Sequence, residues 1–193
     1  MKTIEIQLYK FNELSENAKN NAIENERNNE NNVDLFFFSD MAKEQIFENG
    51  FKGNIEIQYS LNSCQGDGLS FNCDYYDKLN DLFVEILGTN KQKTIDCLIN
   101  NCSFKLKSTN NHYCYASKRD LDFELDNYYV KSQNNIDLVI DKVREKLENL
   151  YMNLCKDLEN QGYKEIEYQN SDECITENLI IKDYDFTENG ETY

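Results

Sequence analysis

The sequence feature that most constrains the fold is residues 54–75, NIEIQYSLNSCQGDGLSFNCDY. Apolar and polar residues alternate in both halves of this segment, which is the period-2 pattern of half-buried strands. Between the halves, Gly66 and Gly68 flank Asp67, and glycines at such positions allow the positive φ angles of a tight turn. We therefore predict a β-hairpin here. Its apolar positions are Ile55, Ile57, Tyr59, Leu69, Phe71 and Cys73.

Helical periodicity on both sides of the hairpin predicts an α+β fold. Apolar residues recur at spacings of three and four over residues 135–160, which predicts one long amphipathic helix, and Gly162 stands where its C-cap is expected. A first helix begins after Asn12 or Ser15, either of which can cap it. Further helices are predicted at residues 33–48, 79–87, 91–100 and 172–181.

Alternating patterns predict several more strands and a single domain. Proline is absent, and no internal boundary or linker is visible. We therefore expect one α+β domain over residues 1–193, a mostly antiparallel sheet with helices packed on it. The additional strands or extended pieces are predicted at residues 3–10, 102–106, 113–115, 121–125, 166–168 and 184–186.

The chain is strongly acidic, with 36 Asp and Glu against 20 Lys and Arg and a formal net charge of −16. The net charge is −5 in residues 1–60, −4 in residues 61–161 and −7 in residues 162–193. This balance opposes direct nucleic-acid binding, because phosphate neutralisation by Lys and Arg dominates such affinity. It suits a protein partner with a basic surface, including one that normally holds nucleic acid. The alternative is that the acidity serves solubility alone.

The sequence does not indicate catalysis, a metal or a cofactor. No CxxC pair occurs among the seven cysteines, and the spacing of His112 and Cys114 is unusual for zinc ligands. His112 is the only histidine, and a Cys–His pair needs a third orienting group that the sequence does not supply. The N-terminal sequence lacks the apolar core of a secretory leader, and no window is apolar enough to span a membrane. We expect reduced thiols, a cytoplasmic protein and no membrane association.

Two acidic features are candidate binding sites. The QGDG turn at residues 65–68 can expose backbone N–H groups to an anion, or Asp67 can help to hold a cation, although a purely structural turn is the favoured interpretation. Alternation over residues 120–126 places carboxylates on one side of a predicted strand, where their spacing could imitate a row of phosphates or form a solvated face. The carboxylates in question are Asp120, Asp122, Glu124 and Asp126.

Three stretches of the chain resemble a family of small proteins encoded by tailed phages and prophages. They are YKFNELSENAKNNA at residues 9–22, YSLNSCQGDGLSF at residues 59–71, and residues 162–190, which include GYKEIEYQNSDECITENLI and YDFTENG. Family members carry Y-x-F-x-E-L-S-x-x-A-K-x-x-A, QGDG-x-S-F and F-T-E-D-G, and Asn189 replaces the acidic residue of the last motif. The resemblance implies a shared structural or binding feature and brings no catalytic residues. Its matching central positions are Gln65, Gly66, Asp67, Gly68, Ser70 and Phe71.

The resemblance also implies a function. Proteins of this family are often labelled hypothetical or antitoxin-like, and some similar phage proteins are anti-CRISPRs. We therefore expect a phage-encoded anti-defence protein, an anti-CRISPR that binds and inhibits an RNA-guided CRISPR effector nuclease in the cytoplasm of the infected bacterial host. The alternatives are an antitoxin that neutralises a partner toxin, and a small enzyme that acts on nucleic acid or a signalling nucleotide.

Overall fold

The computed structural model describes residues 6–28, 33–100, 102–106, 113–117, 121–125 and 136–193, and it confirms the α+β class. A 3₁₀ turn, Phe11–Glu13, precedes the first helix, and another, Thr89–Lys91, precedes the fourth. Of the two caps that the sequence allows, Asn12 and Ser15, the structure shows Ser15, whose side chain accepts a hydrogen bond from the Ala18 N–H. The helices are α1 (Glu16–Arg27), α2 (Phe36–Glu48), α3 (Leu79–Leu87), α4 (Gln92–Asn100), α5 (Ile136–Gln169) and α6 (Asp172–Ile181).

The described strands form three two-stranded antiparallel sheets, whereas the sequence suggested one larger sheet. The predicted hairpin is present, with Glu56 opposite Asn72 at one end and Ser60 opposite Gly68 at the turn. An isolated bridge joins Cys73 to Leu106, one residue beyond the hairpin's second strand. The strands pair as β1 (Phe51–Lys52) with β4 (Tyr75–Tyr76), β2 (Glu56–Ser60) with β3 (Gly68–Asn72), and β5 (Cys102–Leu106) with β6 (Leu121–Leu125).

Two compact units divide the chain. The terminal unit consists of Met1–Phe36 and Tyr163–Tyr193, and the central unit consists of Phe37–Gly162. All the described strands belong to the central unit, whereas α1 and α6 belong to the terminal unit. The helix α5 contributes its residues as far as Gly162 to the central unit and its last seven to the terminal unit.

The terminal unit is built where the two ends of the chain meet. Tyr9 and Phe186 form an antiparallel bridge with two backbone hydrogen bonds of 2.9 Å, and the Phe11 ring packs edge-to-face on that of Phe186. These contacts bury apolar side chains of α1 and α6 against the final extended segment. The buried cluster is Phe11, Leu14, Ala18, Ala22, Ile175, Leu179 and Phe186.

The central unit places its hairpin against α5. The Phe71 ring on β3 lies 4.9 Å from the ring of Tyr151 on α5 and 5.1 Å from that of Phe51 on β1. Every residue of β3 except Asn72 is buried, so both faces of this strand are covered. Among the described residues no helix has both the length and the apolar character that a bilayer crossing requires.

The predicted end of the long helix is wrong, because α5 continues through Gly162 to Gln169. A Cβ atom on Gly162 would lie 2.9 Å from Phe38 Cζ, so this glycine serves a close helix contact inside the central unit. Ile166 and Tyr168, which were predicted to form a short strand, are in the last turns of the helix. Two apolar residues at i and i+2 are too short a pattern to separate a strand from a helix end.

Two other strand predictions differ from the structure. Residues 6–10 form no regular strand, and Tyr9 contributes only the bridge to Phe186. Residues 113–117 have no strand structure either, although Tyr113 and Tyr115 alternate with smaller residues. The remaining part of the first predicted strand, residues 3–5, lies outside the described residues.

Candidate functional site

The QGDG turn is held together by the side chain of Asp67. One carboxylate oxygen accepts a hydrogen bond of 2.6 Å from the Ser60 hydroxyl, and the other accepts one of 2.8 Å from the Cys64 N–H. The Asp67 N–H donates in return to the Cys64 carbonyl oxygen at 3.2 Å. The carboxylate therefore satisfies groups of its own loop, which is the structural role that aspartate plays in many turns.

The two glycines of the turn are required by a neighbouring segment. Gly66 and Gly68 have φ angles of +99° and +147°, and Cβ atoms on them would overlap Tyr113 and the backbone of Tyr115. The Cys114 N–H also donates to the Gly66 carbonyl oxygen at 3.1 Å. The rings of Tyr113 and Tyr115 stack on each other with centroids 5.5 Å apart, and both remain partly exposed. The turn therefore supports a tyrosine pair, which the sequence did not indicate.

The other predicted residues of this motif differ in their exposure to solvent. Gln65 is exposed, whereas Ser70 and Phe71 are fully buried on β3. The Ser70 hydroxyl has no hydrogen-bond partner among the described residues. Because Ser70 and Phe71 are buried, a partner can reach this motif only through Gln65 and the partly exposed turn residues.

The acidic row is only partly described. Asp122 and Glu124 belong to β6, where the register sets them opposite Lys105 and Ser103 of β5. Asp120 and Asp126 lie outside the described residues. The strand itself is confirmed, and the role of its carboxylates stays a prediction.

The thiols have two different environments. Burial raises the pKa of the Cys73 thiol and that of the Cys155 thiol to about 12 in each case, so both are protonated near neutral pH. Cys64 and Cys97 are exposed. None of the cysteines whose side chains are described forms a disulfide; these are Cys64, Cys73, Cys97, Cys114, Cys155 and Cys174. Among the described residues no three metal-ligating side chains come together. His112 is outside those ranges.

A pocket of about 220 Å³ lies at the start of α1 in the terminal unit. It brings together residues from the opening and closing motifs, which are at opposite ends of the sequence. Glu13 also accepts a hydrogen bond of 2.8 Å from the Lys10 N–H, so it stabilises the turn before the helix. The lining residues are Tyr9, Glu13, Leu14, Ser15 and Glu188.

The terminal unit carries most of the net charge. Its 67 residues include 16 acidic and six basic residues, a net charge of −10, whereas the 126 residues of the central unit include 20 acidic and 14 basic residues, a net charge of −6. This concentration of charge cannot be recognised along the sequence, because the unit is assembled from both ends of the chain. A clustering of negative charge on one unit creates a directional field that attracts a basic surface.

The described bases of the terminal unit are mostly paired within it. Lys10 contacts both Asp183 and Asp185, and hydrogen bonds to these carboxylates raise the pKa of Lys10. Other ion pairs join Lys19 to Glu16, Arg27 to Glu24 and Asp172, and Lys182 to Glu26. Several carboxylates of this unit form no ion pair with any described residue. They are Glu165, Glu167, Glu173, Glu177, Glu188 and Glu191.

Comparisons with protein-family models, with curated proteins and with solved structures found no match to this chain. The similarity to phage proteins therefore continues to depend on the three motifs alone. Two of those stretches, residues 9–22 and 162–190, supply the buried cluster and the pocket of the terminal unit.

Proposed function

We propose that this protein is a phage-encoded inhibitor that binds the basic, nucleic-acid-binding surface of a host defence protein and carries out no chemistry of its own. The partner we propose first is an RNA-guided CRISPR effector nuclease in the cytoplasm of the infected bacterium. The observation that carries the proposal is the net charge of −10 on the terminal unit.

The charge distribution supports binding to a basic protein for two reasons. Carboxylates that form no ion pair with a described residue attract lysine and arginine side chains of a partner and accelerate the encounter with them. The same carboxylates repel phosphates, so a protein that normally grips nucleic acid is a better partner than the nucleic acid itself. Occupation of such a surface would exclude the guide or the target strand by direct competition.

The experiment is an inhibition assay over a panel of purified CRISPR nucleases, each tested before and after it is loaded with guide RNA. We expect one nuclease to be bound and inhibited, with weaker binding at higher salt concentration because the contact is electrostatic. Polyglutamate at the same total charge is the control for acidity without a folded surface.

Failure to bind or inhibit any nuclease of the panel contradicts the CRISPR proposal. Neutralisation of a toxic protein encoded beside the gene, measured by growth on co-expression, would favour the antitoxin alternative. Turnover of a nucleic acid or a signalling nucleotide, abolished by His112→Ala or Asp67→Ala, would favour the enzyme alternative.

A further inference from the structure

The helix α6 has an outward face that the fold does not use. Glu173, Glu177, Ile180 and Ile181 follow each other at i, i+4, i+7 and i+8, so they share one side of the helix. All four are exposed, Ile180 to 44% and Ile181 to 78%. We call these four residues the α6 face.

Neither Ile180 nor Ile181 belongs to the buried cluster of the terminal unit. Ile175 and Leu179 point into the buried cluster with α1 and Phe186, and both are almost completely buried. The helix is therefore apolar on two sides, of which only one is covered by its own unit. Large apolar residues that stay exposed side by side, bordered by polar ones, are typical of interaction surfaces.

A tyrosine extends the α6 face at the end with the carboxylates. Tyr168, near the end of α5, is 52% exposed. The carbonyl oxygen of Tyr168 accepts hydrogen bonds from the N–H (3.0 Å) and the hydroxyl group (2.7 Å) of Ser171, which caps α6, so Tyr168 lies beside the end of the helix that carries Glu173. The nearby Cys174, Glu177 and Glu173 raise the pKa of Tyr168. Aromatic rings beside carboxylates suit lysine and arginine, because both the π-face and the negative charge attract a cation.

We propose that the α6 face, together with Tyr168, is the surface on which a basic protein partner docks, with Ile180 and Ile181 in an apolar hollow and Glu173 and Glu177 paired with lysine or arginine. This inference rests on the proposed function and adds the contact surface to it.

Charge complementarity selects this occupant over the others. A second copy of the chain would bring together two units of net charge −10, which is unfavourable at ordinary ionic strength. Nucleic acid and anionic lipid surfaces are repelled for the same reason. A protein with arginine around an apolar centre satisfies both parts of the face.

The probe is a synthetic amphipathic helical peptide that carries arginine on both sides of a leucine stripe. We expect it to shift the backbone amide signals of α6 in an NMR titration. Replacement of its arginines by glutamate is expected to abolish the binding. Ile181→Gln is expected to weaken the peptide affinity by about tenfold, since a buried isoleucine side chain is worth more than the free energy of one decade in Kd.

Matched control variants distinguish a specific contribution of the α6 face to the affinity from nonspecific effects of charge and hydrophobicity. Leu150→Gln on α5 is the control for Ile181→Gln, because Leu150 is also an exposed apolar helix residue and glutamine is a good helix former. Glu145→Gln/Glu148→Gln on α5 is the control for Glu173→Gln/Glu177→Gln, since both pairs remove two negative charges. We expect the α6 pair to reduce the affinity several-fold more than the α5 pair.

The outcomes distinguish this inference from the proposed function. Equal effects of Ile181→Gln and Leu150→Gln, or amide shifts spread over all acidic parts of the terminal unit, overturn the docking face even if a nuclease is inhibited. Peptide recognition through α6 without inhibition of any nuclease supports the docking face and overturns the proposed CRISPR target.

Discussion

The terminal and central units both have a buried core, but they differ strongly in net charge. Both have buried cores with aromatic contacts, Phe11 on Phe186 in one and Phe71 on Tyr151 in the other. Yet the terminal unit, with −10 over 67 residues, carries about three times the net charge per residue of the central unit, with −6 over 126 residues. Because like charges in one compact body repel each other, this concentration opposes folding. The acidity of the terminal unit therefore does not contribute to its stability.

The largest effects are expected from truncating one core ring in each unit. Phe186→Ala and Phe71→Ala should each lower the free energy of unfolding by about 3–5 kcal/mol, because both rings are fully buried. The measurement is thiol labelling of buried Cys174 and Cys155 in the native protein, followed by mass spectrometry. If residues 1–193 form the one cooperative domain that the sequence predicts, each variant should accelerate the labelling of Cys174 and that of Cys155 by the same factor.

The single-domain prediction would be contradicted if Phe186→Ala accelerated the labelling of Cys174 alone and Phe71→Ala accelerated the labelling of Cys155 alone. Leu150→Gln is the control, since it changes an exposed side chain and should leave both labelling rates unchanged.

The next largest effect compares two glycines with the same φ angle. Gly190 in the terminal unit and Gly88 in the central unit both have a φ of +84°. A Cβ on Gly190 would overlap the Ala18 carbonyl oxygen, whereas a Cβ on Gly88 would meet only Asn90 Oδ1, at 3.3 Å. We expect Gly88→Ala to cost about 1 kcal/mol of stability for the backbone conformation alone, and Gly190→Ala to cost about 3 kcal/mol. Chemical denaturation measures both, and equal losses would mean that the contact with α1 is unimportant.

Helices and the central hairpin could be predicted from the sequence because their signals are local. Period-2 and period-3.6 patterns and the Ser15 cap are properties of consecutive residues, and the structure confirms these elements. Gly162 was misplaced because a glycine near a helix end has two explanations, a C-cap or a close contact. Only the neighbouring Phe38 and Leu61 show which one applies.

The docking face and the charge concentration could not be predicted for a different reason. Apolar residues occur all around α6, so periodicity cannot tell that Ile175 and Leu179 are buried while Ile180 and Ile181 are exposed. The charge of the terminal unit depends on the pairing of residues 9 and 186, which are distant in sequence. Both features are long-range, and neither has a local sequence signal.

A smaller effect is expected in the QGDG turn. Asp67→Asn removes the charge and replaces one of the two accepting oxygens with an amide donor, so either the hydrogen bond from the Cys64 N–H is lost or the one with the Ser60 hydroxyl must reverse its direction, and neither bond keeps a charged acceptor. We expect a loss of about 1–2 kcal/mol in the free energy of unfolding. Asp157→Asn, on the exposed side of α5, is the chemical control and should change stability by less than about 0.5 kcal/mol. Equal stability of the two variants would mean that the carboxylate is not structural.

The smallest effect tests the cost of the acidity directly. Glu191 is exposed, belongs to the terminal unit and has no ion pair among the described residues, so Glu191→Gln should relieve repulsion and raise the free energy of unfolding by a few tenths of a kcal/mol at low salt. The gain should disappear at high salt, because screening removes the repulsion in the original protein as well. Glu145→Gln in the central unit, where bases are more frequent, should give a smaller gain.

A stabilised Glu191→Gln variant that binds its partner more weakly would show that the negative charge is kept at the expense of stability and in favour of binding. If Glu191→Gln left the free energy of unfolding unchanged at low salt, the conclusion that the negative charge of the terminal unit opposes its folding would be wrong.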